Sequence, residues 1–387
     1  MSKKVVLISN YYPPEMGAAA NRIQELAQQL SALACDVTVL CPLPNYPFGE
    51  IFDGYPKKGQ FEETINGIKV VRLSTYATKS TDRIKRFKGM LAFAKSVSAY
   101  IKNNQITGNV IVQSPPLLVS YFAVRSLNKK GHAPILNVSD LWPIAGVELG
   151  AIKKGITYSF FLKMERYIYS NARLILGQSN EILTHVSKTV PAAKTLLYRN
   201  FPSPKPAVCV QKPKGSVRLI YAGLLGTAQG IFELCQQLQL PVNWQLDLYG
   251  EGTEAQQITN YLKTSNKAIQ YKGSLSKEAL HEVLPTYHMS LVPLKKRIYG
   301  SVPSKIFELA HFGMPIVYFG DGEAAQLIVH HGLGWATQNF DFSSLNDLLL
   351  AIEKEREKWP VPREIMNIAQ QEFVSHRQVK QLFEHLN

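Results

Sequence analysis

The chain has 387 residues, 45% apolar and 19% charged, with ordinary Gly and Pro content. At roughly 150 residues per domain this is the length of two domains, which excludes a small stapled scaffold, a disordered chain and a fibre. Lys plus Arg number 43 against 29 Asp plus Glu, a formal charge of +14, so something anionic is expected as partner: nucleic acid, a lipid headgroup surface or a phosphate-bearing substrate.

Apolar runs and helical patterns alternate from the first residues. Val5–Ile8 reads as a buried strand, and Ile23, Leu26, Ala27, Leu30 and Leu33 then mark one helix face. Strands are predicted at Val37–Cys41, Lys69–Leu73, Val110–Gln113, Ile135–Val138 and Leu174–Leu176. Their runs are continuous rather than alternating, as in strands covered on both faces, so the first half reads as a parallel α/β sheet. Across 79–102, Lys79, Arg83, Lys85, Arg86, Lys88, Lys95 and Lys102 face the single acid Asp82, with Ile84, Phe87, Leu91, Ala94 and Ile101 at helical spacing. This basic amphipathic helix suits an anionic membrane surface. A solvated charged face over an ordinary core stripe is the plainer reading, and no RNA-binding signature accompanies it. The proline-rich stretch Tyr198–Pro213 carries neither period and is the expected boundary. After it the alternation restarts, with strands at Arg218–Tyr221, Gln245–Tyr249, Ile269–Tyr271, Ser290–Pro293 and Ile316–Phe319, and a polar helical pattern closes the chain over 363–387. The divisions expected are 1–200, 201–365 and a helix at 366–387 that packs back toward the first domain.

Cys35, Cys41, Cys209 and Cys235 form no C-x-x-C pair, so neither a disulfide framework nor a zinc site is expected and a reducing cytosol fits. The apolar run after Lys3-Lys4 is too short for a signal peptide, and the stretch 110–124 is broken by Gln113, Ser114, Pro115 and Pro116, so no membrane span is predicted.

Four places could carry chemistry. In Val302-Pro303-Ser304-Lys305-Ile306-Phe307-Glu308, Pro303 suits the first turn of a helix and Ser304 its cap. Free amides and a positive dipole end there make a phosphate seat, Lys305 adds a cation, and Glu308 one turn on suits a ribose diol. A capped helix with an exposed Lys305–Glu308 pair is the plainer alternative. In the turn after the first strand, Gly17 followed by three alanines lets backbone approach a phosphate, or simply connects strand to helix. Ser139-Asp140-Leu141-Trp142 follows a strand and suits a sugar-contacting edge, or a helix N-cap beside a core indole. Gly223 and Gly226, like Gly250 and Gly252, end strands in turns that permit positive φ or close approach. No D-x-D, H-E-x-x-H, G-x-S-x-G or Walker loop is present.

Taken in order, Tyr11–Gly17, Asn45–Gly49, Ser114–Pro116, Asp140–Pro143, Ala228–Gly230 and Val302–Glu308 resemble retaining glycosyltransferases of family four, over nearly the whole chain. More narrowly they resemble the bacterial surface-polysaccharide group that includes N-acetyl-fucosaminyl transferases of O-antigen and capsule pathways. The resemblance implies a GT-B fold of two Rossmann-like domains facing a cleft, with the acceptor on the first and a UDP-sugar on the second. It implies a cytoplasmic enzyme, peripheral on the inner membrane, that needs no metal or other cofactor and retains anomeric configuration. The acceptor would be an undecaprenyl-diphosphate-linked saccharide, with the anionic leaflet met through Lys79, Arg83, Lys85, Arg86 and Lys88 and no nucleic acid bound. Glu308 would hold the donor ribose; Ser304, Lys305, Gln229, Gly223, Gly250 and Gly17 would surround the diphosphate; and Glu308, Lys305 and Asp140 would serve transfer. Two positions depart from the broad family: Gly300 stands where a first glutamate is usual, and Gln229 where a lysine is common. Lys305 and Arg297 are the cations expected to compensate. Two other readings share this fold: a UDP-sugar epimerase, and a catalytically silent UDP-sugar-binding subunit.

Overall fold

The computed structural model describes residues 2–80, 82–202 and 215–387. The chain forms two compact units: Met1–Asn200 with Ile298–Ser301 and His376–Asn387, and Phe201–Arg297 with Val302–Ser375.

In the first unit β1 (Lys4–Ile8), α1 (Ala18–Ala32) and β2 (Asp36–Pro42) are followed by β3 (Phe61–Ile65), β4 (Ile68–Leu73) and α2 (Arg83–Asn103). Then come β5 (Asn109–Ser114), α3 (Leu117–Asn128), β6 (Ile135–Val138), α4 (Ile144–Glu148), α5 (Ile156–Ser170), β7 (Leu174–Gly177), α6 (Asn180–Thr189) and β8 (Thr195–Leu197). The strand order is β3-β4-β2-β1-β5-β6-β7-β8, with the winding reversing between β1 and β5. Every pairing is parallel except β3 with β4, so the sheet is the expected parallel α/β sheet with one antiparallel edge strand that the sequence reading did not include. Its residues alternate half-buried and exposed, so no apolar run marks them. The hairpin is closed by Asn66-Gly67, both at positive φ, the two-residue turn that matches strand twist. Glu63 on β3 accepts from Nε of the fully buried Arg72 at 2.7 Å, so this edge strand supplies the counter-charge for a core cation.

The second unit runs β9 (Val217–Ala222), α7 (Ile231–Gln237), β10 (Trp244–Tyr249), α8 (Ala255–Thr264), β11 (Ile269–Tyr271), α9 (Lys277–Val283), β12 (Met289–Pro293) and α10 (Ser304–His311). It continues with β13 (Ile316–Phe319), α11 (Glu323–His330), β14 (Gly334–Ala336), α12 (Phe342–Lys354) and α13 (Pro362–Glu372); α14 (Ser375–Glu384) closes the chain. All strands are parallel, in the order β11-β10-β9-β12-β13-β14, with the reversal between β9 and β12.

Side chains alternate across each sheet into two cores, which is why the strands are apolar throughout. On one face of the first sheet Ile8, Leu40, Val112 and Leu136 pack with Phe93 and Val97 of α2; on the other Leu7, Val39 and Ile111 pack with Ile23, Leu26 and Leu30 of α1. The helical pattern over 363–387 is two helices, because Phe373 leaves helical geometry at φ −105°, ψ 52°. Ile365, Ala369 and Phe373 belong to a core of the second unit, whereas Val379, Leu382 and Leu386 join the β1 face of the first. There Asn109 exchanges two hydrogen bonds with Asn387, both 3.0 Å, and Arg173 donates to His385 O at 2.7 Å.

Cys35, Cys41 and Cys235 are buried free thiols; Cys209 and most of the proline-rich stretch lie outside the described residues. Among the described residues no helix is long and apolar enough to cross a membrane.

Candidate functional site

In doubly wound sheets ligands sit beyond the carboxyl ends of strands near the reversal of winding. In the second unit that position holds a cavity of about 440 Å³, lined among others by Gly223, Tyr249, Gly250, Ser274, Ser276 and Lys305. Its floor is a ladder of strand-end turns: Gly223 N donates to Tyr249 O at 3.0 Å and Gly250 N to Gly273 O at 2.9 Å. Gly250 has φ 142°, and a Cβ there would lie 1.8 Å from Gly223 O, so only glycine allows the two turns to close together.

Helix α10 supplies the charged wall. Pro303 is its N-cap residue and makes no side-chain cap, so Ser304 is the first helical residue rather than the cap, and is exposed. Lys305 is half-buried, and its ammonium donates to Ala222 O at the end of β9. Burial pushes Lys305 below its ordinary pKa, Glu308 opposes that shift, and Lys277 adds to it. Glu308 Oε1 accepts from His281 Nε2 at 3.0 Å and lies 3.5 Å from Lys277 Nζ. Burial alone would raise Glu308, but the His281 hydrogen bond and the charges of Lys277 and Lys305 outweigh it and hold the carboxyl below the usual range. Lys305 and Glu308 are thus both half-buried, and Lys305 donates to Ala222 O instead of forming an exposed pair with Glu308. His281 and Lys277 come from α9, which starts directly after the cavity residue Ser276. Sequence reading passed over Ser274, Ser276, Lys277 and His281, although Ser274 stands three residues past the end of a predicted strand.

Gln229 is not among the residues lining this cavity. It lies in the turn before α7, its Oε1 buried without a hydrogen-bond partner, and next to it Gly230 sits in left-handed geometry at φ 69°. A Cβ on Gly230 would meet the Lys295 side chain at 3.0 Å, and Arg297 lies 3.6 Å from Asp321. Gly300 is packed in the first unit: its N–H donates to Glu181 at 2.9 Å, its carbonyl accepts from Ser179 at 2.7 Å, and a Cβ would approach Ile182 to 2.7 Å. A side chain at this position would require the Ile182 side chain to shift.

Gly17 and Asp140 belong to the first unit. Gly17, φ 141°, is the N-cap residue of α1, and a Cβ there would stand 3.9 Å from the Tyr46 ring. Asp140 follows β6 beside a polar network: Asn137 donates to Gln113 at 2.9 Å, Gln113 to Ser139 at 2.9 Å, and Arg22 to Gln178 at 3.5 Å. It does not cap α4, whose N-cap is Pro143. Burial pushes its carboxyl up to about 6 against the lowering charge of Arg22. Between the ordinary value of 3.8 and about 6 the unfolded chain releases this proton while the folded chain keeps it, so Asp140 withdraws stability as pH rises through that window. A carbon-detected NMR titration should give a midpoint near 6 for Asp140, and Arg22→Leu should move it higher; a midpoint near 4 would show that burial does not act on this carboxyl.

Along α2, Phe93, Ala94, Val97 and Ile101 are buried, but Ile84 is 67% and Phe87 40% exposed, so the expected core stripe does not reach the first turns. Lys85, Arg86 and Lys88 are exposed beside them, Lys79 pairs with Glu50 at 2.8 Å, and the Arg83 side chain is outside the described residues.

Residues 17–200 match the family described as glycosyl transferase 4-like domain. No curated protein sequence matches the chain. Among solved structures, sucrose-phosphate synthase from Thermosynechococcus elongatus is 14% identical with a TM-score of 0.75, covering 99% of this chain and 98% of that one. HepE of Anabaena, in complex with UDP and glucose, is 13% identical at TM-score 0.68 with 99% of each chain covered. The lipopolysaccharide outer core galactosyltransferase WaaB is 15% identical at TM-score 0.69 with 98% of each covered. Residues 17–200 thus carry a glycosyl transferase 4-like domain, and the chain has the GT-B fold of the glycosyltransferases it is similar to.

Proposed function

We propose that the protein moves a sugar from a UDP-sugar to an undecaprenyl-diphosphate-linked saccharide, with retention and without a metal, in O-antigen or capsule assembly at the cytoplasmic face of the inner membrane. The observation that carries the donor half is the cavity in which Gly223, Gly250 and Lys305 meet, with Glu308 held as a carboxylate by His281 and Lys277. The glycine turns, which carry no side chains, leave room for a diphosphate, while Lys305 and the start of α10 offer positive charge. Such fixed charge favours cleavage of the bond between the sugar's anomeric carbon and the diphosphate. The acceptor oxygen bonds to that carbon on the same face, and its proton passes to the departing diphosphate. HepE, whose structures hold UDP, UDP-glucose, and UDP with glucose, supports a UDP-linked donor. Incubating the protein with a panel of UDP-sugars should yield glycosylated lipid and UDP only when lipid-linked acceptor is present. Conversion of a UDP-sugar without acceptor would instead identify an epimerase, and UDP binding without turnover a silent subunit.

The membrane half rests on Ile84 and Phe87, exposed between Lys85, Arg86 and Lys88. Each basic group near an anionic leaflet contributes about 1 kcal/mol. Charge reversal at all three should therefore weaken binding to phosphatidylglycerol vesicles at low salt by at least about 100-fold in a sedimentation assay. Unchanged binding would remove this helix from the membrane contact.

A further inference from the structure

Behind the cavity of the second unit a chain of polar side chains crosses an otherwise apolar core. Along β10, Trp244, Leu246 and Leu248 enter one core, while Asp247 and Tyr249 point to the other face, where Ile220, Leu284 and Tyr287 are buried. Asp247 and Tyr287 are both 0% exposed. Asp247 Oδ2 accepts from the Tyr287 hydroxyl at 2.7 Å and from the Arg218 guanidinium at 3.0 Å, and that guanidinium lies 4.4 Å from the Tyr287 ring centroid. The hydroxyls of Tyr287 and Tyr249 are 3.1 Å apart, and Tyr249 lines the cavity.

The direction of these bonds follows from their chemistry. A carboxylate paired with a guanidinium only accepts, so Tyr287 gives its one proton to Asp247, and in the contact between the two hydroxyls Tyr249 has to be the donor. Burial, and after it the bonds to Tyr249 and Asp247, push the Tyr287 hydroxyl above its ordinary pKa, so it keeps that proton. As a stabilising device the chain is poor. Asp247 Oδ1 and Arg218 Nε are buried without a hydrogen-bond partner, so each loses hydration that nothing replaces. Apolar side chains of similar volume often serve a core at least as well as a buried ion pair. The chain does, however, hold the far end of Tyr249. Its carbonyl accepts from Gly223 N at 3.0 Å and its hydroxyl is tied to Tyr287, so the ring is fixed at both ends.

We propose that Asp247 and Tyr287 are positioning residues for a bound nucleoside diphosphate: they pin the Tyr249 ring clear of the space the ligand fills. Tyr249 is half-buried on the cavity wall, so the cavity is the open space into which a released ring swings. The identity of the ligand rests on the donor reading above; the pin itself does not.

Isothermal titration of UDP into the full chain, paired with melting temperatures, tests this through Tyr287→Phe and Tyr249→Phe, which remove hydroxyls and keep both rings. Each should weaken UDP about tenfold, the contribution of one hydrogen bond. The double variant should bind no more weakly than Tyr287→Phe alone, because both changes break the same bond. In a Tyr249→Val background, where no ring remains to swing, Tyr287→Phe should leave UDP affinity unchanged while still lowering the melting temperature. A merely structural network lowers the melting temperature and leaves UDP affinity as it was in every variant. That outcome, or an equal loss of affinity on Tyr287→Phe in the Tyr249→Val background, overturns the positioning role. Carbon-13 labelling of the tyrosine rings reads the pin without ligand, with the Tyr249 resonances assigned by their absence in Tyr249→Phe. Tyr287→Phe should move them, and resonances that stay in place overturn the pin. A wild type that binds no UDP, in which these resonances still respond to Tyr287→Phe, would refute the donor reading and leave the pin standing.

Discussion

Glu308→Ala is expected to lower UDP affinity about 100-fold and to abolish measurable transfer. A carboxylate accepting two hydroxyls makes charge-assisted hydrogen bonds worth about 1.5–3 kcal/mol each, and losing both costs at least about 3 kcal/mol. His281 and Lys277 both approach Oε1 and keep the group ionised. A carboxyl held below its ordinary range stays charged throughout the neutral range, so Glu308 itself contributes no pH dependence to UDP binding there. Glu308→Gln retains one acceptor oxygen and should lose only about tenfold. Isothermal titration of UDP distinguishes these roles from a structural one. If Glu308 merely ties α9 to α10, its variants lower the melting temperature and leave UDP affinity as it was.

The parts of this molecule that were readable in the sequence are those set by nearest neighbours along the chain. Continuous runs such as Val110–Gln113 announce strands covered on both faces, and a strand that ends in glycine announces a turn, as at Ala222-Gly223 and Tyr249-Gly250. The antiparallel β3 escaped because one of its faces is wet, so Phe61–Ile65 shows alternation too short to stand out, and only Asn66-Gly67 betrays the hairpin. On α2, Ile84 and Phe87 keep the helical spacing of core residues, but periodicity says nothing about where the neighbouring elements stop. Asp247 and Tyr287 draw no notice in the sequence, because what matters about them, a hydrogen bond across forty residues that reaches on to Tyr249, is made by the fold. The same holds for His281, an unremarked residue in a short polar helix until α10 places Glu308 against it.

Gly250→Ala should cost the second unit roughly 3–5 kcal/mol. Positive φ alone would account for about 1–2 kcal/mol of this. The rest comes from the new methyl, which would lie 1.8 Å from Gly223 O and 2.9 Å from Gly223 C, a clash with backbone that no rotamer relieves. Moving either strand end breaks hydrogen bonds, because Gly223 N is held by Tyr249 O and Gly250 N by Gly273 O. Gly54→Ala is the control: its φ is 86°, but nothing lies within 4 Å of the added methyl, so only the backbone penalty applies. Urea unfolding followed by tryptophan emission reads the effect directly, since Trp244, Trp335 and Trp359 sit in or against one core of the second unit. A midpoint for Gly250→Ala no lower than that of Gly54→Ala would mean that the two turns do not close on one another. With the midpoint lowered as expected, UDP binding at a temperature where the variant is still folded then measures how far the diphosphate seat depends on that approach. The glycine at 250 both lines the cavity and lets Gly223 stand where it does, so its loss should weaken UDP binding as well as the fold.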